Sequence, residues 1–454
     1  MKIPQLILLF SFLSLVSCTQ ENQEKKVSWV SSTQDKQWQT QVEVPLSVSN
    51  GPVDVEILMD RPLQEIEGFG TCFNELGWES LSFLSDEDRE QIMEELFAPN
   101  KGANFTICRM PLGANDFSKE WYSYNETEGD FEMRNFSISN DLTTLVPYIK
   151  NALKYNPDLK VWASPWSPPV WMKRNKHYAS RSSLMPENVP DSVKTMMRDG
   201  FGMDLTGIDN GLKPGQEAHE GTDNFIQEET YFKAYSLYFS KFIDAYRDQG
   251  VDIAMVMPQN EFNSDQVFPS CTWTAKGLNR FLEHLVPKMK AQNVDVFFGT
   301  MERPDHRLVD TILNNPKIKE SIKGVGFQWA GKESIAQIHR DYPEKTLYQT
   351  EQECGNGYND WAYCTYAWGL MKHYLKNGTN AYMYWNTSLK EGGRSTWGWH
   401  QNSLVSVDTT NNTYKYNYEY FLLKHVSHYV KPGARRLETK GRFTDLLAFE
   451  NKNK

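Results

Sequence analysis

The sequence predicts an α/β fold, a closed (β/α)8 TIM barrel with a small β-sandwich side domain. Eight short apolar runs carry this prediction, each followed by polar or aromatic residues and then by an amphipathic stretch. Nearly continuous apolar runs separated by crossovers are typical of parallel strands buried on both faces. Eight such units favour a closed barrel over an open sheet. The predicted strands are 65–73, 105–112, 160–166, 253–261, 294–300, 324–329, 346–351 and 381–386.

Amphipathic patterns between these runs predict helices over 85–97, 142–155, 231–249, 275–292 and 358–377. Ser85 stands before the first of them, with Asp86 and Glu87 in the first turn, which is the signature of a capped helix start. The link from 166 to 253 is far too long for one helix and is rich in Gly, Asn and Asp around 200–224. We therefore expect an insertion over the mouth of the barrel.

Two terminal segments do not fit the barrel pattern. Residues 27–58 alternate apolar and polar side chains, and residues 434–449 do so again. Such alternation predicts antiparallel strands with one buried face. We expect strands of the side sandwich from 27–60 and from 431–454, with the barrel between them at 61–430.

The first residues predict export. Lys2 precedes an apolar run over 3–16 that is too short to cross a bilayer comfortably, as in a signal peptide. The run ends Leu15-Val16-Ser17-Cys18, which resembles a bacterial lipobox. We expect 1–17 to be removed, Cys18 to be lipidated, and 18–26 to tether a cell-envelope lipoprotein to its membrane. Ordinary secretion with cleavage near Cys18 is the alternative.

Composition excludes several classes of protein. The 454 residues carry 48 Lys+Arg against 58 Asp+Glu, a net charge of −10, which argues against a nucleic-acid partner. The mean hydropathy of −0.61 argues against a polytopic membrane protein. Beyond Cys18 the cysteines are widely spaced, without a CxxC pair, so we expect buried apolar residues rather than disulfides or a zinc site.

Two glutamates stand where a barrel holds its reactive groups, at the carboxyl ends of strands. The fourth predicted strand ends in Glu261 and the seventh in Glu351. One such carboxylate is more often a structural ion-pair partner, but two across one mouth suit glycoside hydrolysis. There one carboxyl protonates the leaving oxygen, while the other attacks the anomeric carbon or activates water.

Several motifs, in order, carry a resemblance to a known family. The sequence resembles glycoside hydrolase family 30, the family of lysosomal glucosylceramidase and of microbial β-1,6-glucanases. The motifs are EGFG at 67–70, RMPLG at 109–113, DFS at 116–118, SPWSPP at 164–169, QNE at 259–261, TE at 350–351, YWN at 384–386 and GG at 392–393. An Asn-Glu pair alone is common to many barrel glycosidases, whereas the ordered set is specific.

The resemblance implies a role for four residues of these motifs. Glu261 is similar to the general acid/base, and Glu351 to the nucleophile that forms the glycosyl-enzyme. Asn260 matches the residue that holds the sugar 2-hydroxyl. Arg109 matches an arginine beside the nucleophile, whose charge would help keep Glu351 ionised; a barrel-core ion pair is the alternative for this residue.

The other expected substrate-binding residues are Asp116, Trp166, Gln328, Trp329, Trp385, Trp397 and Trp399. Trp397 and Trp399 lie in a polar loop, where flat aromatic rings suit stacking on sugars, although anchoring of the loop is a close alternative. The glucosylceramidase branch has a His before Trp329 and a Tyr after it. Here Gln328 and Ala330 stand at those positions, which argues against glucosylceramide as the substrate.

We expect a retaining β-glycosidase that needs no cofactor or metal, with endo-β-1,6-glucanase as the favoured activity and a β-glucan as substrate. An exo-acting β-glucosidase, a glucosylceramidase-like enzyme or a β-xylosidase are alternatives. A non-catalytic surface lipoprotein that binds glycans is the alternative from another class. Since barrels of this family normally pack on a larger sandwich, we expect the side sandwich to be incomplete at its C-terminal end.

Overall fold

The fold is taken from a computed structural model, which describes residues 25–48, 51–183, 190–201, 209–213 and 215–452. Its centre is an eight-stranded parallel sheet, and each predicted run overlaps one of its strands. The strands are β1 Gly68–Thr71, β2 Ile107–Pro111, β3 Lys160–Ser164, β4 Ile253–Val256, β5 Asp295–Met301, β6 Ile322–Gln328, β7 Thr346–Glu351 and β8 Ala381–Tyr384. The predicted barrel is confirmed.

Closure of the barrel occurs between β1 and β2. A parallel bridge joins Cys72 to Arg109, and the amide of Phe73 donates to the carbonyl of Arg109 at 2.8 Å. Gly70 makes this approach possible, because a Cβ atom there would lie 1.6 Å from the carbonyl oxygen of Ile107. The second glycine of the EGFG motif is therefore needed for the sheet to close.

Helices surround the barrel. They are α1 Glu75–Leu81, α2 Asp86–Phe97, α3 Leu145–Tyr155, α4 Asp191–Phe201, α5 Glu229–Asp248, α6 Ala275–Ala291, α7 Arg307–Leu313, α8 Ile335–Asp341, α9 Trp361–Lys376 and α10 Tyr418–Ser427. Ser85 caps α2 as predicted, because its hydroxyl accepts a hydrogen bond from the amide of Asp88 at 3.1 Å.

The cysteines in the described part of the chain are free and buried, as expected. They are Cys72, Cys108, Cys271, Cys354 and Cys364.

Both ends of the chain contribute to a small side sheet. Val55–Glu65 pairs antiparallel with Arg435–Gly441, which pairs with Ala448–Glu450. A further small sheet follows β8 and contains Ser388–Lys390, Val405–Asp408 and Thr413–Tyr416. The long strand Val55–Glu65 crosses the expected boundary at residue 60 and leads directly into β1.

The segment before Pro52 is a separate unit. Within it, Lys26–Val27 pairs with Val44–Pro45, and Val30–Ser31 pairs with Gln39–Thr40, both antiparallel. The predicted strand character of this segment is thus present as two short ladders.

The expected lipidation site, Cys18, lies outside the described residues. Among the residues that the structure does describe, no helix has the length and apolar character required to cross a bilayer.

Candidate active site

The two predicted carboxylates meet in one cavity at the carboxyl end of the barrel. Glu351 is the last residue of β7, and Glu261 follows β4 by five positions. Both side chains are about 5% exposed at residue level and line a cavity of about 240 Å³. The rest of the lining is Asp116, Trp166, Arg181, Ser264, Asp265, Gln266, Phe268, Glu302, Arg303, Trp329, Trp399 and Gln401.

One amide group joins the two carboxylates. Nε2 of Gln328, the last residue of β6, donates to Oε1 of Glu261 at 3.0 Å and to Oε2 of Glu351 at 3.1 Å. These two oxygens therefore lie within about 6 Å of each other. The carbonyl oxygen of Gln328 accepts from the hydroxyl of Thr350 at 2.9 Å, which fixes the orientation of the amide.

The backbone at Glu261 is in an unusual conformation. Its φ is +46°, in the left-handed region that residues with a Cβ atom adopt at a cost of about 1–2 kcal/mol. Two hydrogen bonds hold the turn: the amide of Glu261 donates to the hydroxyl of Thr300 at 2.9 Å, and the amide of Asn260 donates to the carbonyl of Pro165 at 2.7 Å. Backbone outliers of this kind cluster at active sites and ligand-binding sites.

The environment of Glu261 favours its protonated form. Burial raises the pKa of Glu261 well above its ordinary value, and the negative charges of Glu302 and Glu351 raise it further. The amide of Gln328 opposes this rise, and Nε2 of Gln266 donates to the other carboxylate oxygen at 2.9 Å. A carboxyl group that keeps its proton near neutral pH can act as a general acid.

The environment of Glu351 is different. Burial also raises the pKa of this carboxyl, but the guanidinium of Arg109 opposes the rise, with Nη1 3.0 Å from Oε2. The indole of Trp329 donates to Oε1 at 3.2 Å and acts in the same direction. Glu351 is thus the better stabilised anion of the pair, as a nucleophile requires.

Arg109 is fully buried and held on several sides. Its Nη2 donates to Ser164 at 2.9 Å and to Oδ1 of Asn260 at 2.6 Å. Its guanidinium carbon also lies 4.4 Å from the ring centroid of Trp166 and 5.5 Å from that of Trp385, within cation–π range. Arg109 therefore forms a buried ion pair in the barrel and also contacts Glu351 and Asn260. The two interpretations considered for this residue, a core ion pair and a neighbour of the nucleophile, are compatible.

Asn260 has its side-chain orientation fixed by its neighbours. Its Oδ1 accepts from Arg109, from the Thr300 hydroxyl at 3.1 Å and from Gln328 at 3.2 Å. Because all three donors meet the carbonyl oxygen, Nδ2 is the atom that remains to donate to a ligand. This arrangement agrees with the expected contact to a sugar hydroxyl.

Asp116, Trp166 and Trp385 lie together at one side of the cavity. Trp385 stacks behind Trp166 with ring centroids 5.2 Å apart. Oδ1 of Asp116 and Nε1 of Trp385 are buried near each other, yet neither makes a well-formed hydrogen bond with a described residue. Burial, and then the charge of Glu351, raise the pKa of Asp116. Buried polar atoms without partners are expected where a ligand supplies the missing groups.

The two tryptophans of the polar loop occupy different places. Trp399 lines the cavity and contacts Phe268 edge-on, with ring centroids 6.1 Å apart. Trp397 is 8% exposed and stacks on Trp121 at 5.6 Å, outside the cavity lining. Loop anchoring, the alternative considered for both residues, therefore describes Trp397.

Several lining residues were not anticipated from the sequence. Glu302 follows the last residue of β5, so the rule that barrels place functional groups at strand ends could have identified it. Gln266 lies five positions after Glu261 in an irregular segment, and Arg181 belongs to the insertion. No spacing rule connects Gln266 or Arg181 to the carboxylates, because tertiary packing alone brings them to the cavity.

Comparison with known proteins identifies the family. The sequence model of the glycosyl hydrolase family 30 TIM-barrel domain matches residues 66–198 and 212–430. The chain belongs to glycosyl hydrolase family 30. It is accordingly a glycoside hydrolase, and the resemblance found in the motifs is confirmed.

Relatives within this family carry two kinds of name. The chain is 26% identical over 412 residues to putative glucosylceramidase 1 of Caenorhabditis elegans, covering 86% of this chain and 71% of the relative. It is 22% identical over 407 residues to endo-1,6-beta-D-glucanase BGN16.3 of Trichoderma harzianum, covering 84% and 72%. Among solved structures, the endo-beta1,6-glucanase BT3312 has the same fold, with a TM-score of 0.74 and 23% identity over 94% of this chain and 90% of that chain.

The Arg109–Glu351 pair predicts a specific change in pH dependence. Removing a cation at this distance raises the pKa of a carboxyl by about 1–3 units. Since the nucleophile must be ionised, Arg109→Met should move the acidic limb of the kcat/KM profile for an aryl β-glycoside to higher pH by about one unit or more. Arg109→Lys, which keeps the charge, should move it less. An acidic limb that stays in place in Arg109→Met would contradict the assignment.

Proposed function

We propose that the chain is a retaining β-glycosidase that acts by double displacement on β-linked, glucose-containing glycans. The observation that carries this proposal is the Gln328 amide, which reaches both carboxylates at once. Retaining glycosidases hold their carboxyl groups about 5–5.5 Å apart, whereas inverting enzymes need about 6.5–9.5 Å to admit a water molecule. The two oxygens bridged by Gln328, one of Glu261 and one of Glu351, lie at most about 6 Å apart, which supports the retaining geometry.

The reaction proceeds in two steps. A carboxylate oxygen of Glu351 attacks the anomeric carbon while the bond to the leaving oxygen breaks, and that oxygen takes the proton of Glu261. Glu261, now ionised, removes a proton from water, whose oxygen attacks the anomeric carbon and displaces Glu351. Glu261 regains its proton and Glu351 its charge, so the enzyme returns to its starting state.

The surrounding residues assist this cycle. Arg109 and Trp329 stabilise the charge of Glu351 before attack. Asn260 has Nδ2 available for the 2-hydroxyl, a contact that strengthens in the transition state. Oδ1 of Asp116 is buried and makes no well-formed hydrogen bond with a described residue. It can therefore accept a hydrogen bond from the sugar hydroxyls that are remote from the reacting carbon.

The favoured substrate is a β-1,6-glucan cleaved internally. This choice is supported by the endo-1,6-glucanase names among the relatives and by the polar lining of the cavity. An exo-acting β-glucosidase or glucosylceramidase-like activity is the second candidate, because glucosylceramidase names occur among relatives of slightly higher identity. β-Xylosidase activity is a third. A purely glycan-binding role is disfavoured, since a binder gains nothing from burying two carboxylates beside an arginine.

Replacement of the nucleophile tests the proposal directly. Glu351→Gln should lower kcat on an aryl β-glucoside by about a thousandfold or more, because the amide cannot form the glycosyl ester. Glu438→Gln, an exposed position on the side sheet, is the matched control and should retain full activity. Proton NMR of the wild-type reaction should show the β-anomer first; an α-anomer first, or an active Glu351→Gln, would refute double displacement.

The acid/base role of Glu261 has a separate signature. Glu261→Ala should lose about 10²–10⁴-fold on glycosides with poor leaving groups, which need a proton. The rate of glycosyl-enzyme formation from a dinitrophenyl glycoside should change little, because dinitrophenolate leaves without being protonated. Burst kinetics on the two substrate types measure the difference, and equal losses on both would exclude the assignment.

We also propose that the enzyme is a cell-envelope lipoprotein anchored through Cys18, on the basis of the lipobox-like sequence at 15–18. In a bacterial host, the wild-type protein should incorporate radiolabelled palmitate and sediment with membranes. Cys18→Ser should lose the label and leave the membrane fraction. Equal labelling of both proteins would exclude this anchor.

A further inference from the structure

The cavity extends on the side of Glu261 into a region that the catalytic steps leave unused. The general acid must reach the glycosidic oxygen, so the leaving group has to lie beside Glu261. The lining there comes from the segment that follows Glu261, from Arg181 of the insertion and from the end of β5. These parts of the chain are therefore the ones that a leaving group would meet.

Two arginine–carboxylate pairs form this region. Arg181 meets both oxygens of Asp265, with Nη2 3.0 Å from Oδ1 and Nε 3.3 Å from Oδ2. The Asp265 side chain is 8% exposed and that of Arg181 is 39% exposed, so the carboxylate is buried while the guanidinium reaches solvent.

The second pair is extended by a further carboxylate. Arg303 contacts Glu302 at 2.5 Å and binds Glu220 through two hydrogen bonds of 2.8 and 3.1 Å. Its Nη2 also lies 3.3 Å from the hydroxyl of Ser264. Because Glu220 and Arg181 belong to the insertion, these contacts hold the insertion at the mouth and make its side chains part of the cavity.

Charged pairs of this kind set a requirement on any ligand that covers them. A leaving group that displaces water from a guanidinium or a carboxylate must replace the lost hydrogen bonds, or binding becomes unfavourable. A sugar supplies hydroxyl groups that both donate and accept, whereas an alkyl chain supplies neither. Phe268 and Trp399 add aromatic surface suited to the apolar face of a pyranose ring.

The charges around the leaving group further restrict which leaving groups can bind. On the leaving-group side, three carboxylates surround two arginines, and both arginines are already paired. The carboxylates are Asp265, Glu302 and Glu220. An additional anionic group on the leaving sugar would be repelled.

We infer that Arg181–Asp265 and Arg303–Glu302 form a leaving-group subsite that binds a neutral sugar and disfavours both lipid and uronate leaving groups. The inference rests on the proposed function and extends it to residues on the far side of the scissile bond. It assigns the insertion a role in choosing the substrate.

The test compares two substrates that differ only beyond the glycosidic oxygen. Gentiobiose and octyl β-glucoside share a glucosyl group and both release a primary alcohol, so their chemistry is matched. The double variant Arg181→Gln/Asp265→Asn replaces one charged pair by a neutral amide pair of similar size. The exposed pair Arg61→Gln/Glu438→Gln on the side sheet, whose charges lie 3.2 Å apart, is the control.

The wild-type enzyme should prefer gentiobiose in kcat/KM. In the site variant, loss of hydrogen bonds to charged groups should lower the ratio of kcat/KM for gentiobiose to kcat/KM for octyl glucoside by about 10–100-fold. The same ratio should be unchanged in the control variant. A preserved ratio, or a wild-type preference for octyl glucoside, overturns the subsite.

An aryl β-glucoside separates this failure from failure of the proposed function. Aryl glucoside activity without cleavage of gentiobiose or another β-linked glucobiose also overturns the subsite but leaves the glycosidase intact. Absence of activity on all these substrates and on a β-1,6-glucan would instead refute the proposed function, and the subsite with it. Thermal denaturation of the site variant, compared with the wild type, shows whether a lost preference reflects unfolding.

Discussion

The buried ion pair between Arg109 and Glu351 is the interaction on which the site depends. An isolated charge at this depth would be strongly destabilising, so neither partner can be buried without the other. Arg109 also donates to Ser164 and Asn260 and lies against tryptophan rings, so its place fixes theirs. It stands on β2 at the barrel's closing seam, so the residue that pairs with Glu351 also bridges to Cys72 across that seam.

The two carboxylates show how one fold produces two chemical roles. Both are buried, and burial alone would keep both protonated. Glu351 has a cation within 3.0 Å, while Glu261 has amide donors and faces the negative charge of Glu302. Their environments therefore favour the ionised form more at Glu351 than at Glu261, although the residues are chemically identical. The neutral amide of Gln328 links them without adding a third titrating group.

The sequence predicted the barrel because the apolar runs and the amphipathic stretches between them can be recognised within short segments of the chain. It predicted Glu261 and Glu351 because barrels hold their reactive groups at the carboxyl ends of strands. Trp397 shows the limit of such reasoning. Its polar loop was compatible both with sugar stacking and with anchoring of the loop, and the sequence could not show that the ring packs on Trp121, a partner far away in the chain. Arg181 and Gln266 were missed for the same reason, since their position depends on how the insertion and an irregular segment fold back. The side sheet was foreseen as antiparallel strands from both ends of the chain, but the separate pairing of the strands within 26–45 was not.

The left-handed backbone of Glu261 lowers the folding stability available from this position. Glycine adopts that conformation without strain, and it would also remove a carboxyl group that is costly to bury. Evolution toward greater thermal stability alone would therefore drive this residue away from glutamate. The glutamate at 261 is thus unfavourable for the fold, which agrees with the acid/base role proposed for its carboxyl group.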